Sequence, residues 1–116
     1  MTLVIPLCHK NVNIMLSIFK NLFKSNSVDL AQLIKDGAVI VDVRSKAEFA
    51  TGHVKGSINI PLEQIGASVE KLKSYNHVIT CCRSGNRSGM AKRTLESKGL
   101  KNVSNGGSWQ NVNQYK

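Results

Sequence analysis

Cys82-Arg83-Ser84-Gly85-Asn86-Arg87-Ser88 gathers a thiol, two guanidinium groups, a glycine and three small polar side chains within seven residues. The run Val78-Ile79-Thr80-Cys81 before it is short, apolar and β-branched, which predicts a buried strand. Residues 87–98 after it carry Met90, Ala91 and Leu95 and end before Gly99, which predicts a helix. A cysteine at the carboxyl end of a strand stands where open α/β sheets bind ligands. Successive backbone N–H groups of a tight loop converge into an anion nest, and the following helix adds its positive end. Both favour the thiolate over the thiol and pull Cys82 below its ordinary pKa. Arg83 and Arg87 add positive charge, and Gly85 permits the tight backbone. The chemistry this predicts is a sulfur nucleophile in a cradle, residues 83–87, shaped for an anionic substrate. A merely buried cysteine would not call for two arginines and a glycine within five residues.

Such a loop needs a sheet to hold it. Ser27 is expected to cap a helix with Leu30, Leu33 and Ile34 on its apolar face, ending at Gly37. Residues 38–43 (AVIVDV) read as a buried strand. Ser45 caps a helix through Ala50, and Gly52 stops it. Residues 57–60 form a second short strand closed by Pro61, and a helix is expected from about Leu62 to Leu72. Leu100 to Ser104 reads as a last strand, and Asn105-Gly106-Gly107 as a turn. Strands that alternate with helices predict an α/β fold: a parallel sheet covered on both faces, in three layers.

Residues 1–26 differ from the rest. Met15, Ile18, Phe19, Leu22 and Phe23 fall on one stripe of an amphipathic helix, and the segment holds three lysines and no acid. This reads as an N-terminal helical extension to a domain spanning 27–116. Docking of the stripe on its own domain is favoured over contact with a membrane surface through residues 15–23.

Four ordered segments resemble the rhodanese-like domain family. Asp42-Val43-Arg44 with Glu48-Phe49 is similar to its first strand and helix. Residues 52–61, Gly-His-Val-Lys-Gly-Ser-Ile-Asn-Ile-Pro, resemble its signature G-H-I-x-G-A-x-N-I-P. Cys82 to Arg87 is similar to its six-residue active-site loop, and Asn105-Gly106-Gly107-Ser108-Trp109 to its closing turn. The resemblance implies a central parallel sheet of four to five strands and a sulfurtransferase. Cys82 would take sulfur from a small anionic donor such as thiosulfate. It would pass it to cyanide, a thiol or a protein acceptor, with Arg83, Ser84, Gly85, Asn86 and Arg87 binding substrate. It implies supporting places for Asp42, expected to bond loop amides, and for Arg44, expected to pair with Glu48; His53 reads as structural. The chain departs from the family at its ends: the usual first edge strand has no counterpart, and little chain follows Trp109.

Two other readings compete. Cys81 stands at C-x5-R spacing from Arg87, as in protein tyrosine phosphatases, which suits phosphate or arsenate. Side chains alternate along a strand, so one cysteine at most faces the cradle, and the family match selects Cys82. A non-catalytic partner-binding module is the other reading, disfavoured because the cysteine is present.

Composition sets outer bounds. The 116 residues suit one domain. Sixteen Lys+Arg against seven Asp+Glu give a net charge of +9, which draws anions. With one Trp, two Tyr and three Phe there is no basic–aromatic ladder, which argues against nucleic acid. Three cysteines, two of them adjacent, make a poor disulfide framework and fit a reducing, cytoplasmic setting. No metal or cofactor is expected.

Overall fold

The structure, a computed structural model, describes residues 29–116. The expected helical stripe of residues 15–23, and the Ser27 cap, lie outside them. The first described helix, α1 (Leu30–Lys35), takes its cap from Asp29 instead, whose side chain accepts from the Gln32 amide.

Four strands follow in the sheet order β2-β1-β3-β4: β1 (Val39–Asp42), β2 (Ile58–Asn59), β3 (Val78–Cys82) and β4 (Val103–Ser108). All pairings are parallel, with Val41 opposite Ile58, Asp42 opposite Cys81 and Val78 opposite Val103. Parallel neighbours need crossovers, and helices supply them. α2 (Lys46–Ala50) follows β1, and its Ser45 cap is completed by Glu48 in a reciprocal capping box. The expected long helix after Pro61 is broken into two 3-10 turns, Leu62–Gln64 and Gly66–Ser68, before α3 (Val69–Leu72). Gly66 interrupts the helical pattern there, and glycine is among the weakest helix formers. α4 (Asn86–Ser97) spans the expected helix, and α5 (Trp109–Asn113) closes the chain as one short turn of helix.

The central strands are buried on both faces, as their unbroken apolar runs require. One face carries Val39, Val41, Val78 and Cys82 and packs under α3 and α4 through Leu72, Ala91 and Leu95. The other carries Ile40, Ile79 and Cys81 and packs under α1 and α5 through Leu30 and Val112. The two adjacent cysteines therefore belong to different cores.

The last strand differs from expectation. β4 runs on through Asn105, Gly106 and Gly107 instead of turning at them. Its register against β3 slips between Thr80–Asn105 and Cys82–Ser108, so β4 spends one extra residue there. That is a bulge. Gly107, at φ 83°, takes the backbone L residues avoid. Gly106 is required by packing: a Cβ there would lie 2.5 Å from Val112 and 2.8 Å from Ile79.

Candidate active site

β3 ends at Cys82, and the chain turns through Arg83, Ser84 and Gly85 into α4. Gly85 has φ 101°, and a Cβ on it would sit 3.3 Å from the Cα of Gly107. The glycine thus serves twice, for its left-handed backbone and for the close approach of the β4 bulge.

This backbone turns its donors toward sulfur. The Gly85 amide lies 3.0 Å from Cys82 Sγ and the Ser88 amide 3.4 Å. The Ser88 hydroxyl oxygen lies 3.5 Å away and accepts from the thiol. Burial opposes ionisation of Cys82, but donation to the thiolate from the Ser88 hydroxyl and from the amides of Ser88, Gly85 and Ser84 outweighs it, so the thiol lies below its ordinary value. Cys81 is the opposite case. Burial, then the charge of Asp42, pushes its thiol up to about 12. One residue apart, the two thiols are separated by the sheet: one under a cradle of donors, one in an apolar core.

The charged groups sort themselves differently from the expected pairs. Arg44 does not pair with the Glu48 carboxylate. Its guanidinium forms a salt bridge with Asp42 at 2.7 Å, donates to the Gly52 carbonyl at 2.7 Å and lies 5.1 Å from the centre of the Trp109 ring. Asp42 likewise reaches no amide of the 83–87 loop; beyond the guanidinium it accepts from the Arg44 amide. The reason is reach. Asp42 and Arg44 leave β1 two residues apart on the same side, so each meets the other before any partner across the sheet. Together they tie the β1 end to the turn after α2 and to α5.

Glu48 instead takes Arg87 in a two-pronged bridge of 2.7 and 3.0 Å. Bidentate carboxylate–guanidinium pairs are directional as well as charged. The Arg87 bridge, then the Ser45 amide, hold the Glu48 carboxyl down at about 2. The bridge fastens the end of the loop to α2. A cleft of about 300 Å³ opens beside it, lined by Val43, Ser45, Leu62, Glu63 and Arg87. Arg83 is exposed and makes no ion pair among the described residues, so the loop offers one committed cation and one uncommitted one. Ser84 and Asn86 are exposed around it. His53 points away from the chemistry: its Nδ1 lies 2.8 Å from the Phe49 carbonyl and its ring stacks on Phe49.

Two residues at the site escaped sequence reading. By sequence Ser88 reads only as the end of the loop, and Asn105 as a turn residue. The Ser88 hydroxyl donates to Asn105 Oδ1 at 2.6 Å, and Asn105 Nδ2 donates to the Gly85 carbonyl at 3.1 Å. Among the described residues no group of three or more His, Cys, Asp or Glu side chains could hold a metal ion. The arrangement can hold a sulfur anion and any negative charge that grows on an atom bonded to it.

Comparison with known proteins bears on this geometry. A sequence model of the rhodanese-like domain matches residues 27–114. The chain is 32% identical over 82 residues to the thiosulfate sulfurtransferase GlpE of Pseudomonas fluorescens, covering 70% of this chain and 75% of that one. It is 36% identical over 66 residues to the putative sulfur carrier protein YrkF of Bacillus subtilis, 57% of this chain and 36% of that protein. Like YrkF, several relatives are longer: the chain spans 36% to 54% of the length of three of them. A solved structure described as a rhodanese with anions from E. coli superposes with a TM-score of 0.61 at 30% identity, over 65% of this chain and 91% of that one.

Proposed function

The chain belongs to the rhodanese-like domain family, and on that premise we propose that it is a sulfurtransferase that carries sulfane sulfur as a persulfide on Cys82. The observation that carries the reading is the set of polar groups around one sulfur: the Gly85 amide donating at 3.0 Å, the Ser88 amide donating at 3.4 Å, and the Ser88 hydroxyl oxygen accepting from the thiol at 3.5 Å. The Cys82 thiolate attacks the outer sulfur of thiosulfate. The S–S bond of the donor breaks and sulfite leaves with its electron pair. The terminal persulfide sulfur, now anionic, is held by the loop amides. An acceptor, cyanide or a thiolate, then attacks that sulfur, leaves as thiocyanate or a new persulfide, and restores the Cys82 thiolate. Covalent catalysis of this kind divides one difficult transfer into two easier ones. In this reading Arg83, Ser84, Gly85, Asn86 and Arg87 bind the donor, with Arg83 attracting its charge. Asp42 and Arg44 support the end of β1.

The C-x5-R reading from Cys81 loses its nucleophile, since that thiol is buried on the far face of the sheet with its pKa up to about 12. Intact-mass measurement after mixing with thiosulfate tests the proposal. One added sulfur atom is expected, removable by cyanide, lost in Cys82→Ser and kept in Cys81→Ser. Loading that survives Cys82→Ser and disappears in Cys81→Ser would overturn it.

A further inference from the structure

Asn105 lies 23 residues beyond Cys82 in the chain, on another strand, yet it touches the sulfur's environment twice. Its amide orientation is fixed from both sides. Oδ1 accepts from the Gly107 amide at 2.9 Å, a group that can only donate. Nδ2 donates to the Gly85 carbonyl at 3.1 Å, a group that can only accept. Oδ1 is therefore an acceptor for the Ser88 hydroxyl at 2.6 Å.

A hydroxyl has one proton to give. While the Ser88 hydroxyl donates its proton to Asn105 Oδ1, the Ser88 oxygen offers Cys82 only a lone pair, which suits S–H and not the thiolate. When the thiol ionises, the hydroxyl must rotate to donate to sulfur. Asn105 Oδ1 then keeps Gly107 as its partner and is not stranded. Asn105 and the sulfur compete for the same proton. Of the charged groups around the sulfur, Arg87 is paired with Glu48 and Asp42 with Arg44, while Arg83 is exposed and makes no ion pair among the described residues. Behind it, Cys81 is a buried neutral thiol. The hydroxyl is thus the adjustable donor, whereas the Gly85 and Ser88 amides are fixed.

The geometry points to Asn105 as a positioning residue for Cys82, one that holds the Ser88 proton in reserve while the sulfur is protonated and yields it when the sulfur becomes an anion. The inference concerns the state of the Cys82 sulfur and rests on its role as nucleophile only for its consequence in transfer.

Titration of the thiolate ultraviolet absorption, against a Cys82→Ser blank, tests it without any sulfur transfer. Asn105→Ala frees the Ser88 proton for sulfur, so the midpoint should fall by about one pH unit, a tenfold change in the equilibrium. In a Ser88→Ala background the same substitution should move it far less. Asn105→Asp keeps both acceptor contacts and holds the proton harder, so its midpoint should rise, and rise more with Ser88 present than without. This variant decides the matter if Asn105→Ala does not fold. Shifts of equal size in both backgrounds, or none, would overturn the inference. Because no donor or acceptor of sulfur enters the assay, its failure is separate from a failure of the sulfurtransferase reading.

Discussion

At the residue scale, the loop's two arginines stand in unequal surroundings. Arg83 is exposed and unpaired among the described residues, while Arg87 is bridged to Glu48. Steady-state kinetics with thiosulfate and cyanide should separate them. Arg83→Ala is expected to raise KM for thiosulfate several-fold with kcat nearly kept, since an exposed charge mainly attracts the dianion. Arg87→Ala should lower kcat by tenfold or more, because it unfastens the loop. Equal, negligible effects would remove this division. The bridge also has an acid signature. Its carboxyl sits at about 2, below its ordinary 4.5, so the unfolded chain takes up the proton first. The contribution to stability is complete above about pH 4.5 and is lost as pH falls toward about 2. Glu48→Gln should therefore show a shallower loss of stability across that window in acid-unfolding curves. The thiol and its loop were legible in the sequence because their chemistry is contiguous, from Cys82 to Arg87. The Arg44–Asp42 and Glu48–Arg87 pairings were not. Spacing in the sequence leaves open which carboxylate a long guanidinium reaches, and only the strand geometry settles it.

At the level of elements, β4 has a demanding packing requirement. Gly106 is flanked by Val112, Ile79 and the Thr80 carbonyl, at 2.5, 2.8 and 3.0 Å from where a Cβ would stand. Backbone and β-branched side chains yield little, so Gly106→Ala is an overpacked core substitution, worth about 1–3 kcal/mol. In a domain of this size that is a fall in Tm of roughly 4–8 °C for each kcal/mol, measurable by calorimetry. It should also loosen the Cys82 cradle, since the bulge carries Asn105 and abuts Gly85. The strands and α4 were visible in the sequence as apolar runs and helical spacing. The bulge was hidden, because Asn-Gly-Gly has the composition of a turn and reads as one until a neighbouring strand pairs with it. The divided helix after Pro61 was hidden for the opposite reason: Leu62, Ile65, Val69 and Leu72 keep helical spacing across the Gly66 break.

Taken whole, the described molecule is a sheet with two cores, and a buried ion pair at the end of β1 ties that strand to the turn after α2 and to α5. Asp42 is fully buried and Arg44 is 4% exposed. Removing one member of such a pair leaves an uncompensated charge and costs about 3–5 kcal/mol. Asp42→Ala should lose that much in urea denaturation, and adding Arg44→Met should restore part of it. An additive double variant would show that the two side chains do not act as a unit. The parallel sheet was legible from the alternation of elements. What alternation could not show is how completely the sheet separates its two faces. Cys81 and Cys82 are neighbours in the chain, yet the cradle around Cys82 contains no second thiol among the described residues. A sulfenic acid there has no resolving partner within reach among the described residues, so its repair would draw on a thiol from outside them. On the proposed sulfurtransferase reading, the same separation would keep a loaded sulfur from being lost to an internal disulfide with Cys81, across the sheet, and leave it for an incoming acceptor.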